Sequence, residues 1–171
     1  MCDLYDGAVQ RKGTLNHLNV RDIMTQQHAP QPPTLAEIAE TFSLLDDWED
    51  RYGYIIELGQ KLPALDGIHK TSDNLVSGCA SQVWIVTQAD HSHVPSQIVL
   101  KGESDAHIVK GLVAIIMSVY NHKTAQEVLS TDALTIFKGL GLSEHLSTQR
   151  ANGVRAVINR IRVDAQRMLE Q

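Results

Sequence analysis

The stretch SDNLVSGCASQVWIV contains Cys79, one of only two cysteines in the 171-residue chain. A cysteine can pack as a small apolar side chain, bind a metal ion, or act as a nucleophile once its thiol is deprotonated. Gly78 precedes Cys79 and a strand-like run follows it, so we expect a tight turn that presents the thiol at the end of a sheet. The residues alone leave inert packing and reactivity both open.

A metal site would need several converging ligands. The sequence has no CxxC pair, and the HSH motif of His91 and His93 lies beside polar residues and Pro95, as is typical of an exposed hairpin tip. We therefore predict no metal at Cys79. Four other histidines are interpreted as surface or structurally satisfied side chains: His69, His107, His122 and His145.

A cysteine-dependent hydrolase or redox enzyme on an α+β domain is an alternative that the residues leave open. Such an enzyme would need a histidine within hydrogen-bond reach of Cys79 to act as its base. A cation beside the thiol would favour the thiolate. Lys70 is close in sequence and Arg155 is a candidate in space, although both residue types are most often simple surface charges.

The elements around Cys79 predict an α+β fold, with a small antiparallel sheet of about three strands packed against several helices. SQVWIVTQ and SQIVLKGES are β-rich, and ADHSHVP between them is a plausible hairpin connection. A short third strand fits residues 74–77. Because the strands cluster instead of alternating with helices, the pattern favours α+β over a doubly wound sheet.

A helix is predicted to begin after Thr34, which forms a capping box with Glu37. The apolar residues that follow recur every three or four positions, which predicts one helical stripe that breaks or bends at Gly53. The residues of this stripe are Leu35, Ile38, Phe42, Leu45, Trp48, Tyr52 and Ile55.

Helices are also predicted after the sheet. Ser104 or Asp105 should cap the first of them, and TAQEVLST and DALTIFKGLG should form two shorter ones, the second ended by Gly139 or Gly141. Ser147 should cap the last helix. The core-facing residues of the first are Ile108, Leu112, Ile115, Ile116 and Val119. Those of the last are Val154, Val157, Ile158, Ile161, Ala165 and Met168.

Length and composition predict one globular domain. Hydrophobic residues make up 43% of the chain and charged residues 20%. Residues 1–33, which include the Pro-rich run QQHAPQPP, are predicted to be a flexible extension, and residues 34–171 the domain. The net charge of −5 argues against a nucleic-acid partner, and no apolar run is long enough to span a membrane. Two distant cysteines and no secretory leader favour a reducing, cytoplasmic setting.

The stretch LVSGCASQVWI resembles the cysteine-loop signature of the SufE family of sulfur acceptors, which includes CsdE-like members. The matching positions are Gly78, Cys79, Ser81, Gln82, Val83 and Trp84. Three further segments resemble the family's first helix, its helix after the sheet and its C-terminal segment: WEDRYGYIIELGQKLP, SDAHIVKGLVAII and LSTQRANGVRAVINRI. The likeness covers about residues 34–165. Ala80 departs from the glutamine common there, and Thr148, Gln149 and Ala151 replace Pro, Ser and Ser.

The resemblance implies the α+β fold shared with iron–sulfur scaffold proteins of the IscU type. It also implies that Cys79 accepts persulfide sulfur from a PLP-dependent cysteine desulfurase, SufS-like or CsdA-like, and that the chain stimulates that enzyme. An iron–sulfur scaffold complex would then receive the sulfur. The PLP belongs to the partner, so this chain is expected to need no cofactor. The residues expected to form the supporting loop are Ser77, Gly78, Ala80, Ser81 and Gln82.

Sulfur transfer is a thiol exchange, so one nucleophilic sulfur is enough to receive and hold the cargo. An exposed persulfide would react with oxidants and stray thiols. We therefore expect a carrier and desulfurase activator rather than a stand-alone enzyme. The small residues around Cys79 suit a loop that shelters the thiol at rest and presents it to a docked partner.

Overall fold

Six α-helices and one β-hairpin make up residues 32–170, the part of the chain that this computed structural model describes. In order, the elements are α1 (Leu35–Leu44), α2 (Trp48–Lys61), a 3-10 turn (Gly67–His69), β1 (Val83–Asp90), β2 (Gln97–Ser104), α3 (His107–Tyr120), α4 (Ala125–Ser130), α5 (Ala133–Gly139) and α6 (Thr148–Leu169). Almost all of the predicted extension, residues 1–33, lies outside the described residues. None of the described helices is long and apolar enough to cross a membrane.

The sheet is an antiparallel pair of β1 and β2, in register from Val83 opposite Ser104 to Asp90 opposite Gln97. This confirms the predicted hairpin and the α+β class. The third strand is only a single bridge between Leu75 and Trp84. It does not extend because the chain turns away at Gly78, whose φ of 91° is incompatible with a continuing strand. The expectation of about three strands is therefore corrected to two.

The single helical stripe predicted before the sheet is wrong, because α1 and α2 are separate helices. The break lies between Leu44 and Trp48, where the Asp47 side chain accepts a hydrogen bond from the Asp50 backbone N–H (2.8 Å) and caps α2. An aspartate in this position stabilises a new helix start in preference to continuation of the old one. Gly53 lies within α2, which continues through it without a break.

The first helix starts as predicted, with the Thr34–Glu37 capping box in place. The predicted cap of α3 is wrong: Ala106 occupies the N-cap position and makes no side-chain cap. Asp105 instead accepts a hydrogen bond from the Gln82 backbone N–H (3.0 Å), which ties the start of α3 to the start of β1.

Helix α3 is the central element of the core and packs against α2, β2 and α6. Its predicted apolar stripe is buried throughout. Burial extends beyond the stripe to Val113, Ala114 and Met117, because α3 is covered on several sides.

Two glycines bring α2 and α3 into backbone contact. A Cβ at Gly59 would lie 2.7 Å from the Gly111 backbone nitrogen, and a Cβ at Gly111 would overlap the Ile55 carbonyl group. Only glycine fits at such a crossing, because the space of the side chain is occupied by the neighbouring backbone.

The last three helices follow the prediction. Gly141, with a φ of 72°, follows α5, and the Ser147 side chain accepts a hydrogen bond from the Arg150 backbone N–H (3.4 Å) at the start of α6. The predicted stripe of α6 is buried up to Ala165, and Met168 is half-buried against the core. Because α6 packs against both α3 and β1, its first turns lie beside the loop that carries Cys79.

The α2–α3 crossing predicts opposite effects for two Gly→Ala substitutions in helices. Gly111→Ala should lower the free energy of unfolding by about 3 kcal/mol, because its methyl group would force the backbones apart. Gly53→Ala should raise it by about 0.5–1 kcal/mol, because Gly53 is helical, exposed and has no heavy atom near its Cβ position. Urea denaturation of both variants measures this, and a Gly111→Ala variant as stable as Gly53→Ala would contradict the crossing.

Candidate functional site

Residues 77–82 form the loop that carries Cys79, between the bridge at Leu75 and the start of β1. Gly78 adopts a φ of 91°, a backbone conformation that side chains strongly disfavour. A Cβ there would meet only the Ala156 methyl group at 3.7 Å, so backbone conformation and not space requires glycine. The tight turn expected before Cys79 is therefore present.

The thiol of Cys79 is half-buried and lies against α6 at Gly153. Its Sγ donates a hydrogen bond to the Gly153 carbonyl oxygen at 3.7 Å. A Cβ at Gly153 would stand 3.5 Å from Sγ, in contact with it. A methyl group at position 153 would thus make an ordinary van der Waals contact with the thiol, so the contact with α6 does not itself require glycine there.

Burial raises the pKa of the Cys79 thiol above its ordinary value of 9.0. Lys70 and Arg155, the two cations that could have favoured the thiolate, interact with other side chains. Lys70 forms an ion pair with Glu103 (Nζ–Oε2 3.3 Å), and Arg155 donates to the Asn152 side chain (3.2 Å). In this conformation the thiol is therefore neutral at physiological pH and a weak nucleophile.

A cavity of about 370 Å³ adjoins Cys79, between the cysteine loop, α3 and α6. Most of its wall is aliphatic and comes from α3 and α6: Ile108, Val109, Leu112, Val113, Ile116, Val154 and Val157. The first turn of α6 supplies polar groups from Ser147, Gln149 and Arg150. Of the described residues that line the cavity, only Arg150 carries a charge, and its guanidinium also lies 5.9 Å from the centre of the Tyr52 ring.

The structure brings some of the predicted loop residues to this cavity and not others. Ala80 and Ser81 line it beside Cys79. Ser77 instead borders a shallow groove on the other side of the loop. Gln82 anchors the loop through its backbone hydrogen bond to Asp105. Gly78 shapes the turn and does not line the cavity.

Sequence reasoning missed two contributors to the site, Gly153 and Arg150. Both lie in the segment RANG, whose only signal in the sequence is its resemblance to the C-terminal segment of the SufE family. The apolar residues of α3 were interpreted as core, and some of them also form the cavity wall. A single sequence cannot distinguish an apolar residue that faces the core from one that faces a cavity.

Within residues 32–170, no histidine lines the cavity beside Cys79 as the base that a cysteine hydrolase would need, and Sγ donates its hydrogen bond to a carbonyl oxygen. His91 bonds Ser96 and His93 bonds Asp90 at the hairpin tip, as the HSH motif suggested. The same part of the chain holds no group of three or more His, Cys, Asp or Glu residues that could bind a metal ion.

Comparison with protein families identifies the chain. The SufE family, described as an Fe-S metabolism associated domain, matches residues 36–165. The chain belongs to the SufE family. The matched range includes the cysteine loop, α3 and most of α6, which together form the cavity. This SufE-family chain is thus associated with iron–sulfur metabolism through the domain that contains Cys79.

Individual SufE-like relatives agree with this assignment. An uncharacterized SufE-like protein of Rhizobium meliloti (strain 1021) is 51% identical over 133 residues, which are 78% of this chain and 95% of that protein. Another from Rhizobium etli is 49% identical over 132 residues, 77% of this chain and 89% of that protein. The solution structure of a hypothetical protein from Thermus thermophilus has a TM-score of 0.65 at 20% identity and covers 82% of this chain and 98% of its own, which shows the fold alone.

The burial of Cys79 predicts slow alkylation in the native state. Burial raises the pKa of the thiol and leaves less thiolate at any given pH, so the pH midpoint of iodoacetamide alkylation should be higher in the native protein than in the unfolded one. The Cys2→Ser variant should be used, since Cys79 is then the only thiol. The urea-unfolded variant serves as the control and should react faster at pH 7–8. Equal rates, or a native midpoint no higher than that of the unfolded variant, would show that the thiol is not shielded.

Proposed function

We propose that this chain is a sulfur carrier for iron–sulfur cluster assembly. Cys79 takes persulfide sulfur from a PLP-dependent cysteine desulfurase of SufS-like or CsdA-like type and passes it to an iron–sulfur scaffold complex. The observation that carries the proposal is a single loop thiol, beside an apolar cavity, in a domain that belongs to the SufE family. The chain needs no cofactor for this role, because PLP belongs to the desulfurase, and the cytoplasm is the reducing setting that suits a free thiol.

The transfer step is an exchange between sulfur atoms. The Cys79 thiolate attacks the outer sulfur of the desulfurase persulfide, a new S–S bond forms at Cys79, and the S–S bond of the desulfurase breaks. The desulfurase cysteine leaves as a thiolate. The reaction consumes no oxidant or reductant, since one S–S bond replaces another.

Loss of the product sulfur explains why the carrier would stimulate its partner. A desulfurase whose cysteine already holds sulfur cannot begin another cycle. Removal of that sulfur by Cys79 regenerates the free thiolate, so turnover of the desulfurase becomes faster when the carrier is present.

In the proposed transfer, the loop moves before the sulfur exchange. In the cavity, burial and the hydrogen bond to the Gly153 carbonyl both favour the neutral thiol. Movement of the loop into the partner's site would break that bond and expose Sγ. Gly78 and Ala80 on either side of Cys79 offer little steric resistance to such a change.

Substitution of Cys79 tests the assignment of the acceptor. Incubation of the protein with a cysteine desulfurase and cysteine should add the mass of sulfur to the intact chain. Cys79→Ser should abolish this gain, because an alcohol does not form the S–S bond, whereas Cys2→Ser should retain it. Intact-mass measurement before and after dithiothreitol identifies the adduct. A gain that persists in Cys79→Ser would exclude Cys79 as the acceptor.

Partner docking should expose the thiol. We expect iodoacetamide to alkylate Cys79 several-fold faster when a desulfurase whose own active-site cysteine has been replaced by serine is present, because the loop then leaves the cavity. An unrelated protein at the same concentration serves as the control. Unchanged alkylation upon complex formation, with complex formation verified by gel filtration, would contradict loop movement on docking.

A further inference from the structure

The cavity beside Cys79 is larger than one transferred sulfur requires. Its volume is about 370 Å³, whereas roughly 15 Å³ on the same measure is enough for one water molecule. A sulfur atom is only somewhat larger than a water molecule. Since Cys79 itself forms part of the wall, most of the space would remain free after the first sulfur has been added.

The lining suits a short chain of sulfur atoms. The wall from α3 is aliphatic, with Val109 and Leu112 among its residues. Sulfur bonded to sulfur is polarizable and weakly hydrated, so it packs well against such a surface. None of the described lining residues is acidic, and Arg150 is the one cation among them. A terminal sulfur that loses its proton would therefore meet a favourable charge and no repulsive one.

We infer that Cys79 holds two sulfane sulfurs in succession, as Cys79–S–S–SH, and that the added sulfurs occupy this cavity. The inference rests on the proposed function, because the same desulfurase persulfide supplies both sulfurs. A carrier loaded in this way delivers two sulfurs to its recipient from one loaded state.

The second step follows the chemistry of the first. The terminal sulfur of the Cys79 persulfide, after loss of its proton, attacks the outer sulfur of a second donor persulfide. An S–S bond forms between the two sulfane sulfurs and the donor's S–S bond breaks. The donor cysteine leaves as a thiolate and takes up a proton. One S–S bond again replaces another, so no oxidant or reductant is needed.

A row of sulfur atoms on Cys79 persists only if it is shielded from thiols. In water a polysulfide is shortened by any thiol that reaches it. Inside the cavity, the aliphatic wall and the α6 backbone at Gly153 cover part of the sulfur next to Sγ and reduce the directions from which a thiol can reach it. An apolar side chain of the partner is the competing occupant of this space. If the partner filled it, a bulky residue in the cavity would block the first transfer as well as the second.

The test counts sulfur atoms on Cys79 as its only thiol. The Cys2→Ser protein is incubated with a cysteine desulfurase and excess cysteine, desalted and measured by intact-mass spectrometry. We expect adducts of one and of two sulfur masses, both removed by dithiothreitol. In the same background, Val109→Phe places a ring in the cavity from a half-buried position, and it should keep the one-sulfur adduct and lose the two-sulfur adduct.

Two further variants complete the experiment. Val94→Phe adds the same ring at the hairpin tip, where Val94 is 99% exposed, and should show both adducts as the parent does. Ala106→Leu fills the cavity from the N-cap of α3 and takes the place of Val109→Phe if circular dichroism shows that variant to be unfolded.

The outcomes separate the inference from the proposed function. A parent that gains one sulfur and never two overturns the inference and leaves the carrier function intact. A cavity-filling variant that keeps two sulfurs, or that loses both, also overturns it, because the cavity then does not hold the second sulfur specifically. A parent that gains no sulfur overturns the inference and the carrier function together.

Discussion

The contact between the Cys79 thiol and the backbone of α6 at Gly153 is the interaction on which the site depends. It partly buries a polarizable, ionisable group and gives its proton a carbonyl acceptor. Both effects stabilise the neutral thiol over the thiolate. In the conformation described, the same geometry lowers the reactivity of the thiol towards oxidants and alkylating agents.

The rest of the fold holds that contact in place. Backbone contact at Gly59 and Gly111 locks α2 against α3, and α3 then supports both the sheet and α6. The loop is fixed at one end by the single bridge at Leu75 and at the other by the hydrogen bond from Gln82 to Asp105. Between these two points the chain has few other restraints. A packed core thus carries a short loop of small residues that is tied down at both ends.

Much of the architecture follows from local rules that operate within a few residues. Capping at Thr34 and Ser147, the hairpin of β1 and β2, and the buried stripe of α6 were all predictable, because each depends on neighbours close in sequence. The two wrong predictions, of one continuous helical stripe and of a third strand, also have local causes. Asp47 starts a new helix where the apolar period continues, and the turn at Gly78 limits the third strand to one bridge. A side-chain cap at Asp47 and a positive φ at Gly78 thus outweighed the pattern of apolar side chains.

The sequence by itself determined the α+β class, the family resemblance and the candidate thiol, since a cysteine after a glycine and before a strand is visible without coordinates. Only the tertiary structure decided what surrounds that thiol. Gly153 and Arg150 lie far from Cys79 along the chain, and the cavity wall on α3 has the same apolar period as the core. Such surroundings depend on how three distant segments pack, and periodicity along one segment carries no information about which other segment faces it.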